Sequence, residues 1–175
     1  DVEVVSNEEI RGTFRTQGWA HFHSVSYRIL FSEPADSIRM FTDGKETPAS
    51  VPSKMHSDKD LKYHFKFPAS DKPLLVKVAL SPVDPDGAVK NMESELPEWD
   101  FDATVAQSEQ VWNEALNRVS MTSSDPVVMK NFYTALYHSM IAPFAYQDVD
   151  GRYLGMDKQV HTAEAGYTNY TVFSL

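Results

Sequence analysis

The hydrophobic pattern of this chain changes period once. Before residue 82 apolar side chains recur at every second position, and beyond residue 100 they recur every three to four. A period of two belongs to a strand, and a period of 3.6 belongs to an amphipathic helix. A single switch, instead of repeated alternation, argues against interleaved βαβ units and predicts an α+β chain with its strands first.

Val25, Tyr27, Ile29 and Phe31 alternate with Ser26, Arg28 and Leu30, and Leu61, Tyr63, Phe65 and Phe67 alternate with Lys62, His64 and Lys66. Each pattern predicts a strand with one buried face. Residues 74–80 are nearly all apolar, which predicts a central strand covered on both faces. Ile10 to Phe14 and Ile38 to Thr42 are fainter strands, the second followed by the turn pair Asp43-Gly44. Short polar breaks between these runs indicate an antiparallel sheet or sandwich.

Beyond the Pro-rich stretch at 81–87, residues 88–96 read as a short helix stopped by Pro97. Phe101, Val105, Trp112, Ala115, Leu116 and Val119 form a helical stripe, with Asp100 or Asp102 as N-cap. Asp125-Pro126 opens the next helix as N-cap and first turn. Val128, Phe132, Tyr133, Leu136, Tyr137, Met140 and Ile141 almost encircle that helix, which predicts burial between neighbours. Asn131, Thr134 and His138 are left on a narrow polar strip. Val149-Asp150-Gly151-Arg152, between Tyr146 and Tyr153, reads as a β-hairpin. The last six residues are apolar with no closing signal, and Asp1 to Val5 reads as strand interior. Both ends therefore predict an internal piece of a longer polypeptide.

A net charge of −9 and a pI near 5.0 work against nucleic-acid binding. No apolar run reaches the roughly 20 residues of a membrane span. The chain has no cysteine, which removes disulfides, thiolate metal sites and cysteine nucleophiles. His21 and His23 would share one strand face and could supply two zinc positions, but no third ligand is near in sequence. A polar strand end is the simpler reading. Asp148-Val149-Asp150-Gly151 opens like a calcium loop and then departs from it, with Arg152 and Tyr153 at the fifth and sixth positions and Gln159 at the twelfth. A turn with Arg152 paired to one Asp accounts for it better. Glu93, Glu95 and Glu98 flank helix ends and read as a solvated face. There is no G-x-S-x-G elbow and no Gly-rich phosphate loop. Asn169-Tyr170-Thr171 matches a short glycosylation sequon. His138 reads either as a core histidine satisfied by hydrogen bonds or as a group lining a cavity.

Several longer motifs stand in a fixed order. The segment Asn91-Met92-Glu93-Ser94-Glu95-Leu96-Pro97-Glu98-Trp99-Asp100-Phe101-Asp102 resembles the linker of the family-92 glycoside hydrolases, exo-acting α-mannosidases. The segment Phe132-Tyr133-Thr134-Ala135-Leu136-Tyr137-His138-Ser139 is similar to that family's first catalytic-domain helix. The runs from Asp148 to Tyr153 and from Gly166 to Leu175 resemble its next two signatures. The resemblance implies an N-terminal β-sandwich (its later part at 1–85), linker helices at 86–122, and the first part of an (α/α)6 barrel at 123–175. It implies calcium in the full-length enzyme and inverting hydrolysis of terminal α-linked mannose, α-1,2 linkages among them. Implied partners are mannose-containing glycans (N-glycan or mannan) and the remainder of the same polypeptide. The implied compartment is the periplasm or cell surface of a bacterium. The family's acid, base and calcium ligands lie beyond Leu175, so no catalytic or metal residue is expected here. His138, Asp148, Asp150 and Arg152 are the candidates for the floor or rim of the substrate site. Two rival readings are a non-catalytic carbohydrate-binding sandwich, with Trp19, Phe22 and Tyr27 as a stacking surface, and another (α/α)6 glycosidase or lyase.

Overall fold

The structure is a computed structural model that describes residues 1–17, 22–47, 51–53 and 60–171. The strand-rich half contains β1 (Val2–Val4), β2 (Glu9–Thr16), β3 (His23–Phe31), β4 (Ser37–Thr42), β5 (Lys45–Thr47), β6 (Leu61–Lys66) and β7 (Val76–Ser81). Three helices follow: α1 (Pro85–Glu95), α2 (Phe101–Leu116) and α3 (Pro126–Ile141). Short strands β8 (Phe144–Ala145), β9 (Arg152–Leu154), β10 (Val160–Thr162) and β11 (Tyr170–Thr171) complete the order. The chain divides into two compact units. One comprises Asp1–Trp99 with Gln147–Ala165, and the other comprises Asp100–Tyr146 with the described residues from Gly166 onward.

In the first unit, β1-β2-β3-β7 form one antiparallel sheet and β5-β4-β6 another. Asp43 and Gly44 take positive φ angles of 50° and 72°, the geometry a two-residue hairpin between β4 and β5 requires. Register places Tyr27 opposite Leu80, Ile29 opposite Val78 and Phe31 opposite Val76, so these six share the inner face. Phe31 meets Phe65 at 5.1 Å and Phe67 at 5.0 Å, and Val4, Ala35 and Met40 are buried in the same interior.

The outer face of the first sheet is polar, and α1 covers it. Thr13 and Ser26 hydroxyls meet at 3.0 Å, and Arg28 donates to both oxygens of Glu9 at 2.9 and 3.2 Å. Arg28 also stands 3.6 Å from Glu93 of α1, while Arg11 stands 3.7 Å from Asp86. Burial opposes the charge on Glu9, yet the guanidinium groups of Arg28 and Arg11 outweigh it and hold the carboxyl below its usual range. Lys77 reaches under the end of α1 and donates to the carbonyls of Leu96 at 2.7 Å and Pro97 at 3.0 Å. The last turn of α1 has no basic residue of its own, so this strand lysine supplies the positive charge its C-terminus favours.

Two expectations about strand faces are corrected here. Among the described residues the β7 run is not a central strand: it lies at the end of its sheet. Its sequence alternates Val-Lys-Val-Ala-Leu-Ser, so Lys77 (9% exposed) and Ser81 (1%) lie under α1. Val76, Val78 and Leu80 face the other way and are 49%, 52% and 52% exposed. In β3 the fully buried residue is Ser26, because both faces are partly covered and α1 sits over the one that carries the polar side chains.

In the second unit, Asp100 and Asp125 cap α2 and α3 through hydrogen bonds from Ala103 N (2.8 Å) and Val127 N (2.9 Å). Trp112 and Tyr137 meet edge to face at 4.6 Å, and β8 pairs with β11. Burial of α3 between neighbours, predicted from its apolar stripe, is not what the described residues provide. No residue of α2 or α3 is buried. An all-round apolar helix needs partners on most sides, and within this unit α2 and two short strands are what the described residues offer. Glu93, Glu95 and Glu98 are exposed, as a solvated face requires.

Candidate functional site

Three of the four site candidates come together in the first unit. Residues 148–151 form a tight turn, closed by Gly151 N to Asp148 O and Asp148 N to Arg152 O, each 2.8 Å. Gly151 takes φ 81° there, a conformation that suits glycine. The turn does not join two paired strands, as the hairpin reading expected. It leads into β9, which pairs with β10 across residues 155–159, while β8 pairs elsewhere. Turn chemistry was legible in the sequence, but pairing depends on which strand edge lies alongside.

The turn drives Asp148 into the junction of β7 and α1, where it is 1% exposed. Ser81 donates its hydroxyl to Asp148 Oδ2 at 2.8 Å, and Asn91 Nδ2 donates to Asp148 Oδ1 at 2.8 Å. Asn91 also donates to the Leu80 carbonyl and accepts from Val149 N, at 2.8 and 2.9 Å. Ser81 Oγ accepts from Val83 N at 3.0 Å and Asp84 N at 3.3 Å. A Cβ on Gly87 would collide with Asp148 Oδ2 and Ser81 Oγ, so the carboxylate fills the space an absent side chain leaves. Burial pushes the Asp148 carboxyl above its usual range, against the hydrogen bonds from Asn91 and Ser81 and the nearby charge of Arg152.

Arg152 bridges the outer part of the cluster. Its Nη1 and Nη2 fork onto Asp84 at 2.7 and 3.3 Å, and its Nε donates to Asp150 Oδ2 at 2.9 Å. Its Nη2 is 3.8 Å from Asp148 Oδ2. Lys90 of α1 donates to Asp150 Oδ2 at 2.7 Å. Hydrogen bonding from Lys90, with Arg152 adding to it, holds Asp150 down at about 2. The Arg152 fork likewise holds Asp84 below its usual value. Asp84 has a second duty, because it is the N-cap of α1 and accepts from Gly87 N at 2.6 Å. The expected pairing of Arg152 with one Asp is therefore a wider network.

This arrangement anchors more than it reacts. Each carboxylate of the cluster accepts hydrogen bonds from named donors on both of its oxygens. The cluster ties β7, the start of α1 and the β9–β10 hairpin into one body. Sequence reasoning missed Ser81, Asp84, Lys90 and Asn91; the signal available was the Asp-Pro start of α1, whose cap faces Arg152. On the hairpin itself, His161 Nε2 lies 3.0 and 2.9 Å from the two oxygens of Asp157, and its ring is 5.6 Å from Tyr153. His138, on α3 of the second unit, is exposed, with the Tyr137 ring 5.7 Å away. It is not a core histidine within the described residues. His21 and Trp19 lie outside the described residues; His23 sits at the start of β3 with Nδ1 3.4 Å from Thr16 Oγ1. Phe22 is exposed beneath Lys158, whose Nζ is 5.4 Å from the ring centroid, while the Tyr27 hydroxyl donates to Asp1 O at 3.3 Å. Asn169 of the sequon donates its Nδ2 to the Tyr146 carbonyl at 3.3 Å.

Among the described residues no three His, Cys, Asp or Glu side chains are grouped to hold a metal. Asp148 and Asp150 do not fit calcium, because their oxygens already accept from Ser81, Asn91, Lys90 and Arg152 and two cations stand beside them. No helix is long and apolar enough to cross a membrane among those residues.

A family model described as the glycosyl hydrolase family 92 catalytic domain matches residues 87–175. The structure is similar to that of a family GH92 α-mannosidase from Bacteroides thetaiotaomicron, with TM-score 0.85 and 31% identity over 97% of this chain and 23% of that one. That enzyme is also known in complex with mannoimidazole. A second GH92-family glycosyl hydrolase structure matches at TM-score 0.85 and 26% identity, covering 99% of this chain and 23% of the other. An uncharacterized secreted glycosidase of Arthroderma benhamiae is 36% identical over 74 residues, which is 40% of this chain and 10% of the relative. The chain thus spans about a quarter or less of the relatives it matches.

Proposed function

Because the chain belongs to glycosyl hydrolase family 92, we propose that it forms part of an exo-acting α-mannosidase that releases terminal α-linked mannose from glycans. The observation that carries this reading is the likeness to an α-mannosidase across 97% of this chain at 31% identity. The complex of that enzyme with mannoimidazole supports a mannose-shaped substrate. The secreted fungal relative supports action outside the cytoplasm, with the bacterial periplasm or surface as the proposed compartment.

The proposed division of labour follows the domains expected from sequence: sandwich to residue 85, linker helices to 122, and the opening of an (α/α)6 barrel beyond. The reaction is proposed to proceed with inversion. One carboxylic acid protonates the leaving oxygen and a second carboxylate activates water across a gap of roughly 6.5–9.5 Å. Those two groups are assigned outside this chain, as is the calcium, for which the described residues offer no fitting ligand set. The role of the residues in hand is scaffolding. Asp148, Asp150 and Arg152 fix the β9–β10 hairpin on the sandwich, and His138 remains a candidate rim residue on α3. α-1,2-Linked mannose is the proposed leaving linkage.

The test is turnover. The 175 residues alone should give no release from an aryl α-mannoside, and a longer polypeptide containing them should release β-mannose first by NMR and lose activity on chelation. Turnover by the 175 residues alone, or a longer polypeptide that ignores α-mannosides, would overturn the reading.

A further inference from the structure

The β9–β10 hairpin turns one face to its anchor and one face away. Register sets Arg152 opposite Thr162, Tyr153 opposite His161 and Leu154 opposite Val160. Side chains alternate along a strand. Arg152 reaches into the cluster of Asp84, Asp148 and Asp150, so Tyr153 and His161 point the other way. On that outward face their rings stand 5.6 Å apart at 31°. Asp157 accepts from Gln159 N at 3.0 Å, which aims its carboxylate at His161 Nε2, 2.9 and 3.0 Å from the two oxygens. Gly155 lies beneath the pair: a Cβ there would stand 2.5 Å from Asp157 Oδ1 and 2.7 Å from His161 Cδ2. Lys158 closes the turn at φ 64°, a conformation that side-chain-bearing residues rarely adopt and that gathers at functional sites.

A carboxylate only accepts, so Nε2 carries the proton and the neutral ring keeps its lone pair on Nδ1. Nδ1 has no hydrogen-bond partner among the described residues, and the imidazole is exposed. The buried Asp148 and the Arg152 fork hold the base of the hairpin, the arrangement of a binding group on a rigid scaffold. We infer that Tyr153 and His161 form a saccharide-contact face, with the Tyr153 ring against the C–H face of a hexopyranose and His161 Nδ1 accepting from one of its hydroxyls. Asp157 is a positioning residue, since it sets the tautomer and the orientation of the ring. An aromatic face beside a lone-pair acceptor matches a pyranose, which has an apolar face and hydroxyl donors at its rim. The Asp157 charge disfavours an anion. The choice of a sugar among hydroxyl-bearing ligands rests on the glycosidase reading.

The test reads binding and not turnover. A longer polypeptide containing these residues is titrated by calorimetry with S-linked mannobiose, which resists hydrolysis, and with the matching glucose and galactose disaccharides. His161→Ala and Tyr153→Ala should each weaken the sugar by about tenfold, the size of one lost ligand hydrogen bond or ring contact. Tyr153→Phe keeps the ring and should stay within about twofold of the parent, as should Val160→Ala on the opposite face. Asp157→Asn should shift the imidazole nitrogen NMR signals away from the Nε2–H tautomer, a readout that a merely structural role would not move. Every variant should melt with the parent, and His161→Phe repeats the measurement should His161→Ala disturb folding. Parent affinity in either alanine variant, an equal loss in Val160→Ala, or an unmoved tautomer in Asp157→Asn would overturn the inference and leave the mannosidase reading standing. The same losses on a glucose or galactose ligand, in a parent that ignores mannose, would uphold the inference and overturn the mannosidase reading. A parent that binds none of the sugars would overturn both.

Discussion

Asp148 keeps a carboxylate away from water, and its donors make that tolerable. Ser81 and Asn91 each give it a hydrogen bond, while their own remaining capacity is spent on Val83, Asp84, Leu80 and Val149 backbone groups. Asp148→Asn would set an amide N–H against one of those donors, with no rotation free to relieve it. A loss of about 1–3 kcal/mol in urea unfolding is expected, the cost of a buried group left unpaired. The acids of the cluster respond to pH in opposite senses. Burial raises Asp148, so its contribution is complete below the unfolded value and is lost as pH rises through the folded one. Lys90 and Arg152 depress Asp150 to about 2, so its contribution is present above the unfolded value near 3.8 and is lost as pH falls towards 2. Asp84 is depressed by Arg152 and follows the same sense. Melting between pH 4 and pH 2 should therefore be less pH-dependent in Asp150→Asn than in the parent, by about 1 kcal/mol for this partly exposed pair.

At the scale of elements, all three helices begin on an aspartate cap, but one cap is shared. Asp84 caps α1 and also receives the Arg152 fork, whereas among the described residues Asp100 and Asp125 cap α2 and α3 with no ion pair of their own. Asp125→Ala should cost about 1 kcal/mol in denaturant unfolding, the usual value of a lost cap. Asp84→Ala should cost more, by about a further 1–2 kcal/mol for a charge-assisted pair, and should also speed proteolysis of residues 147–165. Equal costs for the two substitutions would mean that the hairpin does not depend on the cluster. The caps at Asp100 and Asp125 were legible in the sequence, whereas Asp84 was missed because the short helix was read from residue 88 and it starts at Pro85. The ion pairs were not legible, because Asp84 and Arg152 stand far apart along the chain and only folding decides which cap meets which arginine.

For the whole molecule, the decisive quantity is how much apolar surface the described residues leave open. Val76, Val78 and Leu80 on β7, and Phe101, Val111 and Val127 on α2 and α3, are all exposed. A self-sufficient domain seldom leaves both a sheet face and helix stripes uncovered. That agrees with a chain covering 97% of itself and 23% of the mannosidase it resembles. It is also why turnover is expected of a longer polypeptide and not of these residues alone.

Element types were set by local rules, since a period of two or 3.6 and an Asp-Pro cap act through near neighbours in the chain. Strands in residues 1–81, helices after them and the turn at 148–151 could thus be read directly. The motif order from Asn91 onward carried the family. What only the tertiary structure decided was coverage. Alternation tells which residues share a face and not which face meets a neighbour, so the β7 run read as central while among the described residues it lies at an edge with its apolar side open. The same limit made α3 look buried and hid Ser81, Asn91 and Asp84 as partners of Asp148 and Arg152. Burial and pairing depend on what arrives from elsewhere in space, and a sequence pattern holds no record of that.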